Sequence, residues 1–284
     1  MKFALFLGCH IPVRLKQYET SSKAVLERLG VGLVDIEEFN CCGYPLRNIE
    51  FKAFLLASAR NLSLAEKKKL DVMTLCQCCF GALKKANFLL RENVSLREEV
   101  NAVLEREDLS YEGKVEVEHL LYVLHREVGV EAIKKKIVKT FRGLKIAAHY
   151  GCHVLRPSQV VRFDDPVNPC IFDQLVEATG AESIAWPMRL DCCGAPLWGS
   201  HDELSTEITL KKLKSARESG ARYLCAACTY CQIQFDTVQQ MILSQRGLNH
   251  PLPSILYPQL LGLSMGINSE ALGLKMNKIP IGEV

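Results

Sequence analysis

The chain has 284 residues, 48% hydrophobic and 24% charged, enough to bury a real core and long enough for two domains. Its 35 lysines and arginines barely exceed its 32 aspartates and glutamates, which excludes the strongly basic surface of a nucleic-acid coat. The cysteines number thirteen, an odd count that excludes complete internal disulfide pairing.

The first apolar run, residues 3–7, is shorter than the ~7–15 residues of a signal-peptide core and reads as a buried parallel strand. No stretch reaches the ~18 uninterrupted apolar residues of a transmembrane helix; residues 252–267 come nearest but carry Pro253 and Pro258. These readings predict a cytoplasmic protein with reduced cysteines, a setting in which thiols bind metal or do redox chemistry.

In chain order, the pattern predicts a strand at 3–7, a helix at 18–29 stopped by Gly30, and a strand at 32–37. A long amphipathic helix over 51–69, a strand at 72–75 and a helix over 80–90 follow. Residues 94–142 are charged and free of cysteine and read as a helical spacer. Its basic end (Lys134, Lys135, Lys136, Lys139, Arg142, Lys145) reads as a solvated face. The second half predicts strands at 144–148, 183–186 and 221–224, with helices at 169–179, 203–219 and 232–244. Alternating strands and helices predict an α/β fold of parallel layers, with ligand sites past the carboxyl ends of the strands.

The chain is written twice. Gly8-Cys9-His10 recurs as Gly151-Cys152-His153, and Cys41-Cys42-Gly43-Tyr44-Pro45-Leu46 recurs as Cys192-Cys193-Gly194-Ala195-Pro196-Leu197. Cys76-Gln77-Cys78-Cys79 recurs as Cys228-Thr229-Tyr230-Cys231, in the same order in both halves. The reading is a tandem-duplicated, pseudo-symmetric pair of Rossmann-like modules, residues 1–142 with the spacer and residues 143–284.

A Cys-x-x-Cys pair alone suits zinc, iron–sulfur or dithiol chemistry. The adjacent pair discriminates, because neighbouring side chains of an extended backbone leave on opposite faces and reach one tetrahedral ion only with strain. A multi-iron cluster offers several metal atoms to such neighbours, and five cysteines per module exceed the four of an ordinary cubane or structural zinc. Gly43 and Gly194 would let the backbone turn tightly against an inorganic core. Cys170 reads as a buried small hydrophobe. Cys78 and Cys225 stay open: Cys78 could face away, and Cys225 with Cys228, Cys231 and a distant cysteine could hold a cubane. One module could also hold structural zinc, giving one cluster plus zinc.

The doubled module resembles the cysteine-rich CCG domains of the heterodisulfide reductase B subunit. The resemblance extends to Arg60-Asn61, residues 149–158, residues 163–166 and residues 257–263. It implies two noncubane [4Fe-4S] clusters, held by Cys9, Cys41, Cys42, Cys76 and Cys79 and by Cys152, Cys192, Cys193, Cys228 and Cys231. The extra Cys78 departs from the pattern and leaves the first ligand set ambiguous. The resemblance also implies two partners, a flavin-containing A subunit and a [4Fe-4S]-carrying C subunit. The reaction it implies is reduction of a disulfide, such as CoM-S-S-CoB, to two thiols in a cleft between the clusters. His10 and His153 would be proton donors there or merely hydrogen-bonding loop residues. Arg14, Arg47 and Arg156 lie in neighbouring loops, where solvation is the simpler role than gripping an anionic substrate. Other CCG subunits, in sulfur oxidation or organic-acid oxidation, and a non-catalytic metal scaffold are the alternative readings.

Overall fold

The computed structural model describes residues 1–282. Two four-stranded sheets are built on one plan. In the first, β1 (Lys2–Phe6) lies between β2 (Gly32–Asp35) and β3 (Asp71–Thr74), and β4 (Val117–His119) closes the far edge beside β3. In the second, β5 (Lys145–His149) lies between β6 (Glu182–Ser183) and β7 (Tyr223–Ala226), with β8 (Ser254–Leu256) beside β7. Every pairing is parallel. Parallel strands need long crossovers, and the helices that make them cover both faces. The apolar run near the N-terminus is therefore the central strand β1, with Ala4 and Phe6 fully buried.

The helices sit close to their expected places: Lys16–Arg28, Phe51–Lys67, Gln77–Glu92, Ile171–Ala178 and Asp202–Glu218. Residues 229–246 form one further helical run with a π-helical stretch, Gln234–Val238, at its middle. The segment 94–142 is not helical throughout. Asn93 caps the helix Val94–Leu104 by accepting the Leu96 N–H at 2.9 Å, but Val117–His119 then pairs with β3. Alternating polar residues hid this strand, because it is an edge strand with one wet side.

After its fourth strand each module sends a closing helix onto the other module. Residues 120–134 pack on Ile171–Ala178, and the helix Tyr257–Ser264 packs on Lys16–Arg28. The exchange is reciprocal and follows the pseudo-twofold relation between the halves. Its result is that the two cysteine-bearing ends of the sheets face each other.

Candidate metal–sulfur centre

The six cysteine segments lie past the strands, four in loops and two running into the first turn of a helix. Cys9 follows β1, Cys41-Cys42 follow β2 and Cys76 follows β3; Cys152, Cys192-Cys193 and Cys228 repeat this after β5, β6 and β7. Cys76 and Cys228 take the N-cap positions of the Gln77–Glu92 and 229–246 helices. An N-terminus suits a thiolate because unpaired backbone N–H groups and the helix dipole favour negative charge there.

The two Cys-Cys-Gly turns share one construction. Gly43 (φ 79°) and Gly194 (φ 93°) are left-handed, and a Cβ on either would come within 2.9 Å of a helix carbonyl, Phe54 O or Ser205 O. The tight turn is as expected, but what it presses on is the neighbouring helix rather than the thiol site. The same helices hold the turns from the other side. Ser58 Oγ donates to Cys42 O at 2.8 Å and Thr209 Oγ1 to Cys193 O at 3.1 Å. Asn61 Nδ2 donates to Cys41 O at 3.1 Å, which gives Asn61 a definite structural role.

Eleven thiols form one continuous series, ten in a row and Cys78 beside its middle. In the first module each thiol perturbs the next, Cys9 acting with Cys41, Cys41 with Cys42, Cys42 with Cys79, and Cys79 with Cys76. In the second module Cys152 acts with Cys192, Cys192 with Cys193, Cys193 with Cys231, and Cys231 with Cys228. The inner ends meet, with Cys76 Sγ 4.0 Å from Cys228 Sγ. The series thus starts at the exposed Cys9, crosses the interior, and ends at the half-buried Cys152. No disulfide interrupts it; the thirteen cysteines are free thiols.

The series contains the ten residues singled out from sequence and Cys78 as well. Cys78 does not face away: its Sγ lies in a three-thiol group with Cys76 and Cys228, and 3.4 Å from His153 Nδ1. Cys225 sits within β7, buried, with burial alone raising its pKa and no thiol beside it. The cubane built on Cys225 therefore loses its first ligand. Cys170 corrects the expectation of a buried hydrophobe: it is exposed, at the start of the Ile171–Ala178 helix.

Without metal, the buried thiols share few charges. Cys41 and Cys192 are held far down as thiolates, because flanking thiols donate hydrogen bonds to them; Cys76 is lowered for the same reason, with Cys228 its first donor. Cys9, Cys42, Cys79, Cys152, Cys193 and Cys231 are pushed up by the same sharing and by burial. A low-dielectric pocket cannot hold ten adjacent thiolates without cations. A donor set made of sulfur alone suits soft metals and iron–sulfur groups, whose binding expels these protons.

His10 and His153 lie across the module boundary from their aromatic partners. The His10 ring is 4.9 Å from that of Tyr230, and the His153 ring 5.0 Å from that of Tyr44. His10 Nδ1 is 3.1 Å from Cys9 Sγ, while His153 Nδ1 faces Cys78 and, at 3.6 Å, Cys152. Burial pulls the His153 pKa down, with the Arg47 charge adding to it. Burial raises the pKa values of Tyr44 and Tyr230, keeping both phenols protonated. Arg47 stacks on Tyr44, its guanidinium 5.1 Å from the ring centroid. Arg14 and Arg156 are exposed.

Sequence reasoning missed three groups. His119, at the end of β4, is fully buried. Its Nδ1 accepts the Leu121 N–H, so Nε2 carries the proton and faces both Leu75 O (3.2 Å) and Ala227 O (3.1 Å). One ring thereby ties together the residues before Cys76 and Cys228. His149 and Lys212, both fully buried, stand beside the second thiol set. Only His149 carried a signal, its place directly after the expected strand at 144–148; His119 ends a strand that the pattern hid.

The cysteine-rich CCG domain family matches this chain twice, at residues 3–84 and 146–236. The chain belongs to that family. Among its relatives it is 34% identical to the B subunit of a ferredoxin/F420H2-dependent CoB-CoM heterodisulfide reductase of Methanosarcina acetivorans, over 98% of this chain and 94% of that one. It is also 34% identical to an 8-methylmenaquinol:fumarate reductase membrane anchor subunit of Wolinella succinogenes, over 98% of this chain and 97% of that one. A crystal structure of a hypothetical protein from Helicobacter pylori shares the fold, with a TM-score of 0.79 at 18% identity over 99% of this chain and 52% of the other. An iron–sulfur redox role fits both the CCG relatives and the all-sulfur donor set. No helix among the described residues is long and apolar enough to cross a membrane.

Proposed function

We propose that this chain is the catalytic iron–sulfur subunit of a heterodisulfide reductase-type complex. In this reading it reduces a small-molecule disulfide to two thiols between two noncubane [4Fe-4S] clusters, one in each module. One observation carries the reading: the thiols of both modules converge between the sheets and meet where Cys76 and Cys228 stand 4.0 Å apart, with Cys78 beside them. Five donors per set exceed the four of a zinc site. The proposed ligands are Cys9, Cys41, Cys42, Cys76 and Cys79 for one cluster and Cys152, Cys192, Cys193, Cys228 and Cys231 for the other.

Cleavage of R–S–S–R′ consumes two electrons and two protons and yields RSH and R′SH; bound clusters would supply the electrons. The chain's own residues supply the rest. His10 and His153 stand on opposite modules and are the proton donors of this proposal. Tyr44 and Tyr230, kept protonated, exclude water and can donate O–H hydrogen bonds to a departing thiolate. Electrons would arrive through a flavin-containing A subunit and a [4Fe-4S]-carrying C subunit, in the cytoplasm.

The test is anaerobic purification followed by metal analysis and a thiol assay. The expected content is about eight irons per chain, four for each of two clusters, without stoichiometric zinc. With a reduced dye as donor, each disulfide consumed should yield two thiols. About four irons, or one zinc per chain, would overturn the two-cluster reading. The fumarate reductase anchor protein, as similar to this chain as the heterodisulfide reductase relative is, favours a second reading as an electron-transfer subunit of another redox complex. Full iron with no thiol release supports that reading.

A further inference from the structure

The two modules match in their cysteines but not in what surrounds them. Lys212 is fully buried, and no other lysine or arginine among the described residues is. Its ammonium donates to Met188 O and lies 4.9 Å from the centroid of the Trp186 ring. None of the ion pairs between described side chains includes it. Burial pulls its pKa down to about 8, opposed by the charges of the exposed Asp191 carboxylate and of Cys231, Cys193 and Cys192 of the second set, so the side chain is an ammonium at neutral pH.

The first module has no such charge. Ser58 and Thr209 hold equivalent carbonyls, those of Cys42 and Cys193. Three residues further along each helix stand Asn61 and Lys212. Asn61 spends its neutral amide on Cys41 O and its own surroundings. The same contrast recurs at the strand ends. His149 puts Nε2 3.3 Å from Cys231 Sγ, whereas the equivalent position in β1 is Phe6. Both differences put polarity or positive charge on the second set.

We propose that Lys212 is a positioning residue for charge. Its buried ammonium makes the second thiol set the better acceptor of an electron, so the metal–sulfur group held there is reduced in preference to that of the first module. This rests on the iron–sulfur reading above and deepens it by giving the two sites an order. The physical reason is that each added electron adds one negative charge, and a nearby cation shielded from water stabilises it strongly. Cluster potentials respond to net charge, hydrogen bonds to sulfur and solvent exposure. The ammonium keeps its place because the Met188 carbonyl and the Trp186 face hold it.

The test is a redox titration of the anaerobic holoprotein followed by electron paramagnetic resonance. Signals are assigned with Cys193→Ser, which removes the second group, and Cys42→Ser, which removes the first. In the wild type the second site should show the higher potential. Lys212→Gln keeps a donor for Met188 O but removes the charge; Lys212→Met removes both. Each should lower the reduction constant of the second site at least tenfold, about 59 mV for one electron, with a smaller change at the first. If Lys212→Met loses iron, Lys212→Gln carries the comparison, and Lys212→Arg should restore the potential. Equal wild-type potentials, or an unmoved second potential in a fully loaded Lys212→Gln protein, would overturn the inference and leave the cluster reading standing. A purified chain with no metal–sulfur signal in any variant would overturn both.

Discussion

His119 offers a direct test of how the two halves are held together. Its ring is buried between Phe80 and Phe163, with centroids 5.8 and 6.2 Å away, and its Nδ1 accepts a backbone hydrogen bond that a second proton would break. Burial pulls its pKa from 6.5 to about 4. The unfolded chain therefore takes up a proton as pH falls through 6.5, while the folded chain resists until about 4. In that window the unfolded state binds more protons, so stability is present above pH 6.5 and is lost as pH falls. The loss works out to about 2 kcal/mol by pH 5 and about 3 kcal/mol by pH 4. Gln at this position keeps an N–H donor for Leu75 O or Ala227 O but does not titrate. Urea unfolding of wild type and His119→Gln, run in pairs under anaerobic conditions from pH 7.5 downward, isolates the effect, because acid damage to bound metal is common to both. The stability advantage of wild type should shrink by those amounts. A difference that stays constant with pH would refute the neutral, module-bridging role of this ring.

Other outcomes follow from the same geometry. Gly194→Ala should destabilise the protein by roughly 2–3 kcal/mol, since it meets both a left-handed φ and the Ser205 carbonyl. Gly199→Ala, left-handed but in open space, should cost only about 1 kcal/mol in the same melting experiment. Replacing Cys42 or Cys193 by Ser should remove the metal of its own module, halving iron content while the other module's spectrum persists. Loading metal into apoprotein in a weakly buffered indicator solution should release protons, because Cys9, Cys42, Cys79, Cys152, Cys193 and Cys231 are held protonated without it. Of the cysteines outside the thiol series, Cys170 should alkylate in the native state and Cys225 only on unfolding, as their exposures require.

The amino-acid sequence alone determined the duplication, the parallel α/β architecture and the cysteine segments that follow the strands. These properties are local. A short apolar run covered on both faces, a glycine after each cysteine pair, and a repeat read in the same order all survive without knowledge of the fold. Tertiary structure decided how the halves meet. Each closing helix crosses to the other module, and that crossing brings Cys76 to Cys228 and turns Cys78 towards His153. It also decided which polar residues lie in the interior. His119 follows a charged, alternating stretch, and Lys212 sits in a helix rich in lysine, so both read as surface residues until a second sheet or a tryptophan face covers them. Burial of a polar group is fixed by what packs over it from distant parts of the chain, and no local pattern carries that information.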